Sequence, residues 1–222
     1  MREKELVTRV IFVRHGETDF PLDRIYCDGH EEPALNGSGI AQASQASGFL
    51  RGWRVDALYA SPCLRTRMTA EAIAASHEGL RAVFNDALRE RHFGVWEGLY
   101  FNEIESRFPA EYRLWKQDQS AFKPEGGESV YDLARRVVPE VKEIVASHRG
   151  GTAVIVAHVG PIRVLVAEAL GMPVELYRSL RIDPASITVV DYGFSQNNLI
   201  LLNFHARHGF SLGAAPCGLD AR

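Results

Sequence analysis

Short continuous apolar runs alternate with longer segments of helical spacing along most of the chain, and this switching of period is the strongest constraint on the fold. Residues 10–13 (VIFV), 57–60 (ALYA), 80–84 (LRAVF) and 153–157 (AVIVA) are the short runs. Three of them are continuous enough for strands covered on both faces, as in the middle of a parallel sheet. Between them the spacing predicts helices over 38–53, 61–77, 99–116, 129–148 and 160–170, the third broken near Pro109 and the last closed by Gly171. Within 129–148, Val130, Leu133, Val137, Val141 and Ile144 recur at three and four residues, one apolar stripe to lie on a sheet, with Pro139 as a bending point. Residues 187–192 and 199–205, joined by 193–198, read as an antiparallel hairpin. The order implies an α/β fold, a three-layer αβα sandwich with a mostly parallel central sheet and a C-terminal antiparallel edge hairpin. One domain is expected over 1–222, with its core at about 8–206 and 209–222 as a loose tail.

A chain of 222 residues that is 46% apolar and 24% charged can bury a core without staples. Its net charge of −3 gives no electrostatic reason to expect nucleic acid or a membrane surface as a partner, so an anion site must gather positive charge locally. Cys27, Cys63 and Cys217 are odd in number and widely separated, which fits neither a disulfide framework nor a zinc site and suits a reducing cytoplasm. The polar start, from Met1 to Leu6, leaves no room for an export signal before the strand pattern at Val10. The most apolar stretch, 152–170, is interrupted by His158, Gly160, Pro161 and Arg163, so no membrane helix is expected.

In an open α/β sheet, ligands bind beyond the carboxyl ends of the strands. Arg14 and His15 follow the first strand, 61–65 the second, and His158 the fourth. An Arg-His pair is by itself most often a surface feature or a satisfied core histidine. Arg65 and Arg67, however, stand in the first turns of a helix, where the dipole disfavours positive charge. With Ser61 as N-cap and Pro62 as first helical residue, that helix start adds backbone N–H groups. Histidines and arginines gathered at strand ends of an acidic protein read as a phosphate or carboxylate site.

Those residues carry a family resemblance. Arg14, His15, Gly16, Glu17 and Thr18 resemble the RHGET signature of the histidine phosphatase superfamily, the phosphoglycerate mutase-like fold. The likeness continues through Ser61, Pro62, Leu64, Arg65, Thr69 and Ala70, then Glu90, Phe93, Gly94, Trp96, Glu97 and Gly98. It resumes at Pro124, Gly126, Gly127, Glu128 and Ser129 and ends in Ala157, His158, Gly160, Ile162 and Arg163, spanning about 10–204. RHG alone is a weak signal; five motifs in order are a strong one. The resemblance implies that His15 attacks phosphorus as a neutral imidazole and that Arg14, Arg65 and His158 hold the equatorial oxygens, His158 helping most if protonated. It also implies that Glu90 is the general acid and then the base, and that the Val159 N–H touches phosphate. The implied enzyme needs no metal and no cofactor, since the arginines supply the positive charge.

Some positions depart from the family. Pro21 stands where many members carry an Asn, and offers neither amide nor N–H. Asp28 replaces a Gln ahead of Gly29, Glu32 an Asp, and Thr66 an Ala. Glu17, Thr18, Arg24, Asp28, Gly29, His30, Arg91 and His92, with the 112–127 segment, are the candidate substrate-facing residues. Glu17 reads equally as a second carboxylate in the pocket or as a structural salt bridge. Cys63 reads as a buried thiol, and Trp53, Phe93, Trp96, Tyr112 and Trp115 as packing residues. His205 and His208 have helical ligand spacing but lie at a strand end, where it does not converge on a metal.

The favoured reading is a cytoplasmic phosphomonoesterase acting on a small phosphorylated metabolite, with a homodimer left open. A cofactor-dependent mutase is the alternative, suggested by Glu90, Arg91, His92, Phe93 and Gly94. Against it, Phe101 stands where mutases place a Lys, and no arginine-rich insertion lies between Phe108 and Pro124. A catalytically silent phospho-ligand module is a third reading, opposed by the five intact catalytic positions.

Overall fold

The computed structural model describes residues 6–26 and 31–206. Cys27, Asp28, Gly29, His30, His208, Cys217 and the expected 209–222 tail lie outside the described residues. A six-stranded sheet runs in the order β3-β2-β4-β1-β5-β6. Its strands are β1 (Thr8–Arg14), β2 (Ala57–Ala60), β3 (Ala82–Phe84), β4 (Thr152–Ala157), β5 (Ile187–Tyr192) and β6 (Asn197–Phe204). β3, β2, β4 and β1 are mutually parallel, and the hairpin of β5 and β6 adds to β1 with β5 antiparallel.

The central strands read as unbroken apolar runs because both sheet faces are covered. Along β1, Val10 and Phe12 enter one core with Ala153 and Ile155 of β4. Ile11 and Val13 enter the other with Val154 and Val156. The first core is roofed by α5 (Val130–Ser147) and α6 (Val159–Ala169), the second by α1 (Gly37–Leu50) and α2 (Leu64–Ala74). β3 differs from its neighbours: as the outer strand it leaves Val83 55% exposed. The expected 99–116 helix is two, α3 (Phe101–Arg107) and α4 (Pro109–Gln117), with Pro109 opening the second. They contribute to a third, aromatic core of Ile25, Trp96, Ile104, Trp115 and Phe122. Pro139 lies inside α5 without ending it. Among the described residues no helix is long and apolar enough to cross a membrane.

α5 has the most explicit start signal. The Ser129 side chain accepts the Asp132 N–H at 3.0 Å, and Asp132 accepts the Ser129 N–H at 3.0 Å, a reciprocal capping box. Ser129→Ala should cost about 1 kcal/mol of folding stability. Ile155→Ala, in the fully buried middle of β4, should cost about 2–5 kcal/mol. Urea unfolding of the two variants against the parent checks both the values and their order.

Candidate active site

β1 pairs with β4 so that Arg14 lies opposite Ala157, and the next residues, His15 and His158, emerge side by side. Their ring centroids are 5.3 Å apart. The His15 N–H donates to Ala157 at 3.1 Å, while the His15 carbonyl accepts the Ala185 N–H at 3.0 Å, which fixes the chain as it leaves the sheet. It then passes against the first turn of α1: a Cβ on Gly16 would lie 2.6 Å from the Gly39 carbonyl oxygen. Asn36 caps α1 by accepting the Gly39 N–H at 2.8 Å and donates its amide to Glu17 at 3.0 Å.

At the second strand end the helix starts later than the sequence indicates. α2 begins at Leu64, with Cys63 rather than Ser61 in the cap position and no side-chain cap. Ser61 is taken by another partner: its hydroxyl meets His158 Nε2 at 2.9 Å and donates to Cys63 Sγ at 3.4 Å. Arg65, only 2% exposed, donates Nη2 to His158 Nδ1 at 2.8 Å and Nη1 to the Tyr26 hydroxyl. The Tyr26 ring lies 3.7 Å from the guanidinium carbon. A guanidinium can only donate, so His158 Nδ1 carries a lone pair and Nε2 carries the hydrogen, donated to Ser61. His158 is therefore neutral; burial, then Arg65, hold its pKa well below the ordinary 6.5. The protonated form, in which His158 is expected to help most, is thus disfavoured. The ring is fully buried behind the cavity wall, where it positions Arg65.

His15 is half-buried and donates Nδ1–H to the Gly16 carbonyl at 2.8 Å, since a carbonyl can only accept. In the neutral ring Nε2 then holds the lone pair. Burial, then Arg65 and Arg14, push its pKa well below 6.5. Glu90 is 8% exposed, and burial raises its pKa above the ordinary 4.5 against the pull of two backbone N–H groups and the same two arginines. Those donors are Arg91, to Oε1 at 2.8 Å, and Gly160, to Oε2 at 3.2 Å. A side chain at Gly160 would place its Cβ 2.2 Å from Glu90 Oε1, so only glycine lets the carboxyl rest on the start of α6. From α5, Arg136 donates to the carbonyls of Ala87, Arg89 and Glu90, which clamps the segment carrying the acid.

Arg14, His15, Arg65 and Glu90 line a cavity of about 260 Å³. Thr18, Arg24, Arg91 and Val159 also line it. Besides His158, two of the described candidates do not reach it. Glu17 is exposed and holds Asn36, and His92 is held by Glu97 at 3.3 Å from its ring and by Glu128 at its N–H. Arg67 stacks outside, with its guanidinium 4.5 Å from the Phe84 ring centroid. Phe20, Tyr26, Phe101 and Tyr177 line the cavity although their sequence context reads only as loop or packing. Among the described residues no group of three or more His, Cys, Asp or Glu is placed to hold a metal ion. An anion beside His15 in this cavity meets the guanidinium groups of Arg14 and Arg65, an imidazole, and a carboxyl group whose pKa burial raises above its ordinary value.

The chain is 38% identical over 186 residues to a bifunctional protein of Mycobacterium tuberculosis, a match covering 83% of this chain and 50% of that protein, so the chain spans about half of that relative's length. It is 29% identical over 204 residues to phosphoserine phosphatase 1 of Hydrogenobacter thermophilus, covering 91% of this chain and 95% of the relative. The structure of the mycobacterial glucosyl-3-phosphoglycerate phosphatase superposes with a TM-score of 0.79 at 30% identity, covering 89% of this chain and 99% of that one. The family model of the histidine phosphatase superfamily (branch 1) matches residues 10–205. With nearly the whole described fold inside that match, the chain belongs to the histidine phosphatase superfamily.

Proposed function

We propose that the protein hydrolyses small phosphomonoesters through a phosphohistidine on His15. The observation that carries this is the His15 ring itself, with Nδ1–H held by the Gly16 carbonyl and Nε2 bare beside Arg14 and Arg65. Two of the relatives are phosphatases of small phosphorylated metabolites by name, which supports the same reading.

The steps follow from the donors in place. Arg14 and Arg65 draw the phosphoryl oxygens, Arg65 exchanging the Tyr26 hydroxyl for one of them. Nε2 attacks phosphorus, a P–N bond forms, and the P–O bond to the alcohol breaks. Glu90 gives its proton to the departing oxygen. The Gly16 carbonyl steadies the positive charge that develops on the imidazole, in the manner of a carboxylate partner but weaker. Glu90, now a carboxylate, takes a proton from water as that water attacks phosphorus, and the P–N electron pair returns to Nε2. Glu90 is thereby reprotonated, phosphate leaves, and His158 acts throughout by holding Arg65.

Rapid acid-free quenching with labelled substrate should trap an acid-labile, base-stable phosphoryl group on the parent and none on His15→Ala. Undiminished turnover by His15→Ala would sink the mechanism. For Glu90→Gln, single-turnover phosphoenzyme formation from an alkyl phosphate should slow by about 10²–10⁴. Formation from p-nitrophenyl phosphate, whose leaving group needs little protonation, should slow far less. An equal small loss with both esters would reduce Glu90 to a positioning residue.

The pH profile carries a signed expectation. His15 works neutral and its pKa lies below 6.5, so the acid limb falls below that value. Glu90 works protonated and its pKa lies above 4.5, so the rate of alkyl phosphate cleavage declines as pH rises through that raised pKa. Glu90→Gln should lower the rate and flatten that alkaline decline; a parent-like decline in the variant would assign the limb to another group.

A further inference from the structure

Much of the cavity is walled by rings, one of them, Tyr26, against Arg65. Phe20 and Tyr26 come from the segment after β1, Phe93 from the turn after Glu90, and Phe101 and Trp115 from α3 and α4. Phe20 packs edge to face on Tyr26 at 5.3 Å, and Phe101 lies 5.6 Å from Trp115. Phe20, Tyr26, Phe93 and Phe101 are half-buried; the guanidinium carbons of Arg24, Arg65 and Arg91 lie 5.3, 3.7 and 5.0 Å from the centroids of the first three, and Phe101 and the ring surface those arginines leave uncovered remain for a ligand to cover. The third core, which contains Trp115, thus extends directly into the cavity wall.

Arginines share this wall, and an acidic or polyhydroxylated alcohol would need their donors. Those donors are largely engaged in holding the protein together. Arg24 gives Nε to the Gly98 carbonyl at 2.6 Å and both terminal nitrogens to the Glu31 carboxylate at 3.0 and 2.8 Å. Arg91 gives Nε to the Glu128 carbonyl at 2.7 Å and Nη2 to the Phe122 carbonyl at 2.8 Å. Arg163 gives Nε to the Leu180 carbonyl at 2.7 Å. Arg178 also lines the wall and is not without a partner. A polar group that must give up a partner to take a ligand gains little from the exchange, whereas uncovered ring surface gains in proportion to the area covered. Aromatic rings also favour stacked or edge-on partners at these separations.

We infer that the leaving alcohol is bound through an aromatic ring or a comparably flat apolar body, so that the natural substrate is the phosphomonoester of such an alcohol rather than of a short acid or an open polyol. This rests on the phosphatase reading above and specifies the part of the substrate that the chemistry does not touch. No new bond-making step is involved; the same P–O bond is cleaved.

The test compares phenethyl phosphate with ethyl phosphate, two alkyl esters of similar leaving-group acidity that differ by one phenyl ring, and with a phosphoglycerate. Phenethyl phosphate should exceed ethyl phosphate in kcat/KM by on the order of 10- to 100-fold, the value of burying one phenyl group. It should also exceed the phosphoglycerate. Phe101→Ala and Phe20→Ala should each shrink the phenethyl-to-ethyl ratio several-fold, with the change in KM rather than kcat. Because α3 helps to build the third core, the ratio is also read in Phe101→Leu, which keeps the volume and removes the ring, and should shrink there too. Binding of phenethylphosphonate against methylphosphonate, measured by calorimetry on the parent, should show the same preference without turnover. Hydrolysis of all three esters with a ratio near unity, or with the phosphoglycerate preferred, would overturn the inference and leave the phosphatase reading standing. Hydrolysis of none, with no phosphonate bound, would overturn the phosphatase reading and this inference with it.

Discussion

The parallel pairing of β1 with β4 sets everything at the site. With Arg14 opposite Ala157, the first residues beyond the two strands are His15 and His158. One ring enters the cavity and the other lies behind it. A slip of one residue would exchange the faces of β1, moving Val10 and Phe12 into the core of Ile11 and Val13. The two apolar cores therefore fix the register that brings the histidines together. The other groups are then placed from that frame: Arg65 by its bond to His158, and Glu90 by the Gly160 N–H at the start of α6.

Desolvation is the leading influence on both titratable groups in the cavity, and it acts on them in opposite senses that serve one chemistry. For His15 it lowers the pKa and for Glu90 it raises it. In both, desolvation shifts the balance toward the neutral form, which the proposed reaction uses as a nucleophile in one case and as a proton donor in the other. Arg14 and Arg65 reinforce the first shift and oppose the second, so the shift at Glu90 depends more on burial than the shift at His15 does. Gly160 and Arg136 matter for that reason, since they hold the carboxyl in its dry position from α6 and α5.

Much of this was legible in the sequence because the same burial leaves a pattern. VIFV and AVIVA read as central strands since both sheet faces are covered, and the Val130-to-Ile144 stripe read as a helix on that sheet. Arg14, His15 and His158 stood out as polar residues at the ends of such runs. What the pattern could not show was the choice among partners. Ser61 had the form of an N-cap, yet His158 claims its hydroxyl, and the cap falls two residues later, at Cys63. His158 gave no sign of lying behind the wall, because a strand-end histidine has the same context in either place. Glu17 and His92 looked like neighbours of the chemistry along the chain, but Asn36 and Glu97 draw them off. Phe20 and Tyr26 sit in a loop without periodicity, and Arg136 in an ordinary helical stretch, so neither position announced its use.

Arg65 is fully engaged before any ligand arrives, its two terminal nitrogens on His158 and Tyr26 and its plane against the Tyr26 ring. Any anion that binds there trades one contact for another. Its net affinity is the strength of the new bond less that of the tyrosine contact it displaces, and in the proposed reaction this applies alike to an ester arriving and to a phosphate departing. Because the Tyr26 hydroxyl stands ready as a substitute, giving up such an anion would cost Arg65 less than it would cost a guanidinium left bare.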